Sequence, residues 1–243
     1  MKKKSVILTF DIDWAPDFII KEIAEVLIKK NIPSVWFVTH ESEILNFFRS
    51  YPDLFELGIH PNFSPNSTQG NNFNEVMLFL KDLVPEARCM RSHGLIMSSN
   101  WLLASSKEYN IQFDFSCFLP YAKCIEPHVF FYKDMSIIRL PYNWEDDIDM
   151  FTKNPFNLDL AYINNYENFI FDFHPIHIGL NSNNLDSYLT LLSLNKNVKS
   201  WTKKDIFKNR NKEIFGVNDF FTDLLDHQKF NFYNIDAYLN ELK

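Results

Sequence analysis

Val6-Ile7-Leu8-Thr9-Phe10-Asp11-Ile12-Asp13 is the stretch on which the fold turns. Four apolar residues and a threonine make a run of strand length that does not alternate, the pattern of a strand covered on both faces. It ends on two aspartates one residue apart. Downstream, Pro16 and Asp17 open a helical pattern in which Ile19, Ile20, Ile23, Val26 and Leu27 recur up to Lys30. Asn31-Ile32-Pro33 breaks it, residues 34–39 read as a second buried strand, and a helix is expected over 41–49. A third strand, 54–59, ends at His60-Pro61.

The alternation continues. A polar loop over 62–72 carries Pro65 and Gly70, and a helix follows over 73–83. A strand is expected at 88–91, a helix at 99–109 and a strand at 111–115. Two short strand patterns occupy 129–132 and 136–140. The last clear internal strand, 169–173, ends at His174-Pro175-Ile176-His177. Strands alternating with helices at this pitch predict βαβ units and an α/β fold with a mostly parallel sheet or barrel. Residues 195–211 are polar and lysine-rich and read as an exposed insertion. A helix over 217–227 and a closing segment over 235–242 complete the chain. With no internal repeat or low-complexity linker, residues 1–243 read as one domain.

Charge and cysteine content narrow the function classes. The chain has 24 basic and 31 acidic residues, net −7, against the basic stripe a nucleic-acid partner requires. No apolar run approaches a membrane span. The basic start, Met1 to Ser5, leads within a few residues to Asp11, too short for a secretory signal. Cys89, Cys117 and Cys124 are odd in number and lack metal-site spacing. The expectation is a cytoplasmic protein.

Chemistry gathers at the strand ends. Asp11 and Asp13 follow the first strand, and His40 and His60 end the next two. Arg91 and His93 end the fourth, and His174 and His177 the late one. In parallel α/β folds the loops at the carboxyl ends of strands converge on one face, where ligands bind. Singly, a strand-end histidine is most often a hydrogen-bonded structural residue, and Asp-x-Asp can cap a helix. Five of seven histidines and a carboxylate pair on one rim form a site candidate. Carboxylate oxygen with neutral imidazole suits a divalent metal, zinc first, with water activated beside it.

Read together, these motifs resemble the polysaccharide deacetylase family (the NodB-homology carbohydrate esterases). Thr9-Phe10-Asp11-Ile12-Asp13 is similar to the family's first motif, and Glu56 to Phe63 to the second. Arg91-Ser92-His93-Gly94, Leu140-Pro141-Tyr142-Asn143-Trp144 and Phe171-Asp172-Phe173-His174 resemble the remaining three in order. Thr39-His40-Glu41-Ser42, His60-Pro61-Asn62-Phe63 and His174-Pro175-Ile176-His177 resemble most the WbmS-type branch, found with bacterial surface-polysaccharide genes. The resemblance covers residues 5–180 and implies a distorted, incomplete (β/α) barrel.

It also implies roles. Asp11 would be the general base, oriented by Arg91, and His174 the general acid. Asp13 and His60 would hold the metal, and Trp144 would form part of the substrate wall, with Tyr142 and His93 beside it. Two departures stand out. An extra residue separates the first motif's aspartates, and Ser64 stands where the second motif carries its other histidine. The strand order makes His40 the expected third ligand, since the end of the second strand should lie between Asp13 and His60. His93 and His177 are the weaker candidates.

The leading expectation is a metal-dependent hydrolase that removes an N-acyl group, acetyl foremost, from a nucleotide-linked or lipid-linked sugar. Two alternatives stand beside it. One is a non-catalytic carbohydrate-binding homologue, with Trp14, Trp144 and Tyr142 stacking on sugar rings. The other is a phosphatase with Asp11 as nucleophile, which Trp14-Ala15 and the scarcity of glycine, 5 in the chain, argue against.

Overall fold

All ten strands of the computed structural model, which describes residues 3–152, 156, 158 and 164–242, join one sheet. In chain order the first half runs β1 (Lys4–Asp11), α1 (Asp17–Lys30), β2 (Ser34–Val38), α2 (Ile44–Arg49), β3 (Phe55–Ile59), α3 (Phe73–Leu83), β4 (Cys89–Met90), α4 (Ser99–Tyr109) and β5 (Phe113–Asp114). A hairpin of β6 (His128–Tyr132) and β7 (Met135–Arg139) follows, then β8 (Trp144–Glu145), α5 (Asp146–Thr152), β9 (Asn168–Phe173) and α6 (Pro175–Leu180). The described chain closes with α7 (Asp186–Leu194), α8 (Lys203–Asn209), α9 (Val217–Asp226), β10 (Phe230–Phe232) and α10 (Ile235–Glu241).

The sheet order is β6-β7-β5-β4-β3-β2-β1-β9-β8, with β10 beside β1. Every pairing is parallel except β6 with β7. Along one side of β1, residues Ser5 to Phe10 pair with β9. On the other, β10 takes Lys4 to Val6 and β2 takes Thr9 to Asp11. The sheet curls into a half-barrel flanked by helices, as the resemblance implies.

Side-chain alternation along the strands divides the core. Val6, Leu8 and Phe10 face outward into a large cluster with α1, α3 and α9. Ile7, Val35, Phe37, Cys89 and Ile170 face inward, where Ile235 and Tyr238 of α10 close the end at which the strands begin. Thr9, Asp11 and Asp172 continue that inward face toward the strands' carboxyl ends, so the polar groups gather above an apolar plug.

Several elements depart from the sequence reading. β4 is only two residues long, because Arg91 leaves the ladder after its N–H bonds to the Ile59 carbonyl at 3.1 Å. His174-Pro175-Ile176-His177 continues into a helix, with Pro175 pre-set for the first turn. The segment 195–211 exposes its lysines, yet Trp201 and Ile206 are buried and α8 is closed by a Thr202–Asp205 capping box.

Candidate active site

Beyond β1 the chain turns sharply. Asp13 and Trp14 both have positive φ, 33° and 57°, a region costly for residues with a side chain. The turn is held by the Ala15 N–H on the Ile12 carbonyl at 2.7 Å and the Trp14 N–H on Thr39 Oγ1 at 3.3 Å. Gln69, itself buried, ties the neighbouring strand ends together. Its Nε2 donates to the carbonyls of Thr39 (2.8 Å) and His60 (3.1 Å), and its Oε1 accepts from the Asn62 N–H.

On this frame Asp13, His60 and His93 converge. Asp13 Oδ1 lies 3.3 Å from His60 Nε2 and 3.4 Å from His93 Nδ1, and the two nitrogens are 3.1 Å apart. Atoms that share one ion at bonds of about 2.0–2.2 Å stand roughly 3 Å apart, so the triangle has the dimensions of a facial ligand set. Asp13 Oδ1 is buried with no hydrogen-bond partner, an arrangement that a cation between the three atoms would relieve. One carboxylate with two imidazoles is the donor chemistry of zinc and other first-row ions. Burial opposes the charge on Asp13, but the two histidines hold its carboxyl well below the usual range. The Asp13 carboxylate, 3.4 Å away, pushes His93 upward.

A second group anchors Asp11. Arg91, 1% exposed, donates from Nη1 to Asp11 Oδ1 at 2.9 Å and to Asp172 Oδ1, and from Nη2 to Thr9 Oγ1 at 2.8 Å. Its guanidinium lies over the rings of Tyr142 (4.3 Å) and Phe37 (4.7 Å). Burial pushes the Asp172 carboxyl well up, against the pull of Arg91. Asp11 Oδ2 is left facing His60 Nε2 at 3.5 Å.

His174 closes the other side. Asp146 takes both its backbone N–H (2.9 Å) and its Nδ1 (2.7 Å), leaving Nε2 directed at Asp13 Oδ2, 3.7 Å away. Burial disfavours the imidazolium, but Asp147, Asp146 and Asp13 outweigh it and raise the His174 pKa well above its ordinary value. Asp147 also meets His177 Nε2 at 3.0 Å. Glu145, beside them, accepts from the Tyr142 hydroxyl at 2.8 Å and is pushed upward by burial.

The structure thus brings together Asp11, Asp13, His60, Arg91, His93 and His174. Three other expected residues lie apart from them. His40 is outside the converging trio; its Nδ1 shares a 2.7 Å hydrogen bond with Thr39 Oγ1, and the third corner is His93. Asp13 sits two residues past the end of β1, whereas His93 is drawn to His60 by its N–H on the Pro61 carbonyl at 2.9 Å. Trp144 is 3% exposed, stacked on Phe220 with its indole N–H on Asp149, so it belongs to the core and not to a substrate wall. Tyr142, 1% exposed, supports Arg91 and offers no surface to a substrate.

Sequence reasoning passed over Asp146, Asp147, Asp172 and Gln69. The first two had a visible signal, the acidic run Glu145-Asp146-Asp147 directly after Trp144. Gln69 had none, because a glutamine in a polar loop looks like any other.

Comparison with known proteins agrees with this geometry. The family model described as "WbmS-like: Polysaccharide deacetylase" matches residues 8–192. A crystal structure from Bordetella bronchiseptica, described as a polysaccharide deacetylase involved in O-antigen biosynthesis, is 29% identical. It covers 91% of this chain and 89% of its own, with a TM-score of 0.79. A 4-alpha-glucanotransferase from Thermococcus litoralis shares the fold at 11% identity and TM-score 0.58, over 98% of this chain and 38% of its own. A mutant of a Bacillus anthracis CE4-family pseudoenzyme does so at 15% and 0.51, over 98% and 68%. Comparison with curated protein sequences finds no match. With its motifs in order on the strand ends and the family model spanning most of its length, the chain belongs to the WbmS-like polysaccharide deacetylase family.

Proposed function

We propose that this protein is a metal-dependent amide hydrolase that removes an N-acetyl or related N-acyl group from a sugar in bacterial surface-polysaccharide synthesis. The substrate is carried on a lipid or a nucleotide, and the reaction takes place in the cytoplasm. The observation that carries this reading is the Asp13–His60–His93 triangle, flanked by Asp11 on one side and His174 on the other.

Asp13, His60 and His93 would hold the ion, zinc by donor type. When bound, it supplies Lewis acidity toward the acyl carbonyl and lowers the pKa of a nearby water. Asp11, oriented by Arg91, takes the proton from the attacking water. His174, its Nδ1–H committed to Asp146, presents Nε2 to the leaving nitrogen and delivers a proton there. The half-buried Trp14, next to Asp13 in the turn, has its ring 5.7 Å from that of His93.

The phosphatase reading requires Asp11 free to attack phosphorus, and the Arg91 bond argues against it. The non-catalytic reading needs a site short of a third donor, and His93, 3.1 Å from His60, stands ready as that donor. The experiment is metal analysis of the purified protein, followed by acetate release from lipid-linked and nucleotide-linked N-acetyl sugars. Asp11→Asn should keep its metal and lose about 10²–10⁴ in turnover. Undiminished turnover in that variant would refute the assignment.

A further inference from the structure

A surface of opposite sign to the whole molecule lies beside the site. Seven of the chain's 24 basic residues fall between Lys196 and Lys212, with Asp205 the one acid among them, in a chain of net charge −7. The six lysines of this run are exposed, and among the described residues only Lys203 has a carboxylate partner, Glu22 at 2.7 Å. Apolar side chains stand open between them. Leu194, at the end of α7, is 78% exposed and Phe207, in α8, 67%; Leu189, Ile214 and Phe215 are exposed as well. Lys212 Nζ lies 4.1 Å from the centre of the Phe207 ring, so the helix and the loop after it present one mixed surface. Trp201 and Ile206 are buried beneath it, which fixes the surface to the body of the protein.

The surface belongs to the catalytic end. Tyr188 of α7 packs on His177, the ring centroids 5.4 Å apart. Lys199 donates to the carbonyl of Glu41, the neighbour of His40, at 3.1 Å. Lys203 lies over the ring of Phe18, in the first turn of the helix that follows the Asp13–Trp14 turn.

The composition narrows the occupant. Clustered lysines without carboxylates repel one another and attract a dense negative surface. Nucleic acid would supply the charge but leave the scattered aliphatic side chains in water. Protein interfaces favour arginine and are poor in lysine, and the one arginine of this run, Arg210, is turned to the Gly179 carbonyl. An anionic bilayer takes both parts, its phosphates facing the lysines and its acyl boundary receiving the leucines and Phe207. We infer that this surface docks the protein on an anionic lipid bilayer and holds the catalytic end beside the headgroups. The docking stands by itself; only its purpose, delivery of the substrate, rests on the hydrolase reading. With that reading it favours the lipid-carried sugar over the nucleotide-linked one.

Flotation of the full chain with vesicles of phosphatidylethanolamine and phosphatidylglycerol, against vesicles of phosphatidylcholine alone, tests it. The anionic vesicles should bind about tenfold or more tighter, and added salt should weaken that binding steeply. Lys204→Ser combined with Lys208→Ser should weaken it about 30-fold, roughly fivefold per lysine. Phe207→Ser should remove the part of the binding that survives high salt. Equal affinity for the two kinds of vesicle overturns the docking, as does undiminished anionic-vesicle binding by the double lysine variant. A short DNA duplex controls for charge alone: duplex binding as tight as vesicle binding, with Phe207→Ser affecting neither, overturns the lipid assignment. Acetate release from a soluble N-acetyl sugar is read separately. Docking that needs Lys204, Lys208 and Phe207, with no acetate from any probe, sinks the hydrolase and leaves the docking standing; acetate release by a chain that floats with neither vesicle does the reverse.

Discussion

At the scale of single residues, His93 and His40, one inside the converging trio and one outside it, give the sharpest contrasts. His93→Ala removes one of three converging donors and should drop bound metal well below one equivalent, measured by mass spectrometry. His40→Ala should keep a full equivalent; the opposite result would restore His40 as the ligand. His40 has a different use. Burial, helped by Lys199 and opposed by Asp17 and Asp13, lowers its pKa to about 4. The unfolded chain therefore takes up this proton first as pH falls, and folding stability declines from about pH 6.5 to about pH 4. The loss attributable to this residue is on the order of 2–3 kcal/mol. Urea titrations of the native protein and His40→Gln at pH 7 and pH 4.5 should show a visibly smaller drop in the variant, and equal drops would refute the argument.

At the scale of elements, the inward face of the sheet is packed close enough to exclude one methyl group. A Cβ on Gly58 in β3 would lie 2.7 Å from the Phe37 ring and 2.8 Å from Cys89 Sγ. Gly58→Ala should destabilise the fold by about 1–3 kcal/mol in urea denaturation, the usual cost of overpacking. Such tightly covered elements were also the legible ones. Strands β2 and β3 and helices α3 and α4 stand within a residue or so of their sequence boundaries, because uninterrupted apolar runs and helical spacing mark them. Helix α7 was missed because Leu189 and Leu194 face water and blur its pattern, and β10 because three residues carry no periodicity. The site followed the same logic. Aspartates and histidines at the ends of covered strands were visible, as with Asp11, Asp13 and His60. Which neighbour completed the triangle depended on turns after β1 and β4 that hydrophobic spacing does not encode, and Trp144 and Tyr142 looked exposed only because burial is a tertiary property.

At the scale of the whole molecule, the Asp13–His60–His93 triangle is built from three separate strand ends, so an ion bound there would link binding to folding. Zinc at about 100 times its dissociation constant should add roughly 2.7 kcal/mol to unfolding free energy and raise the melting temperature. Asp13→Ala should lose that rise in a calorimetric scan, while a native protein whose melting temperature ignores zinc would count against the site. The position of β1 has another consequence. It precedes nearly all of its partners: Ser5 pairs with Asn168 and Lys4 with Phe230, and β2 supplies an early neighbour only for Thr9 to Asp11. During translation, Val6 to Leu8 must wait without a strand partner until β9 leaves the ribosome, a natural binding site for a chaperone. The Arg91 guanidinium waits with it, since Asp172 arrives on that same strand. A nascent chain halted before Asn168 would already hold Asp11, Asp13, His60 and His93, yet the half-barrel that aligns them would lack a wall, so the site assembles late and all at once.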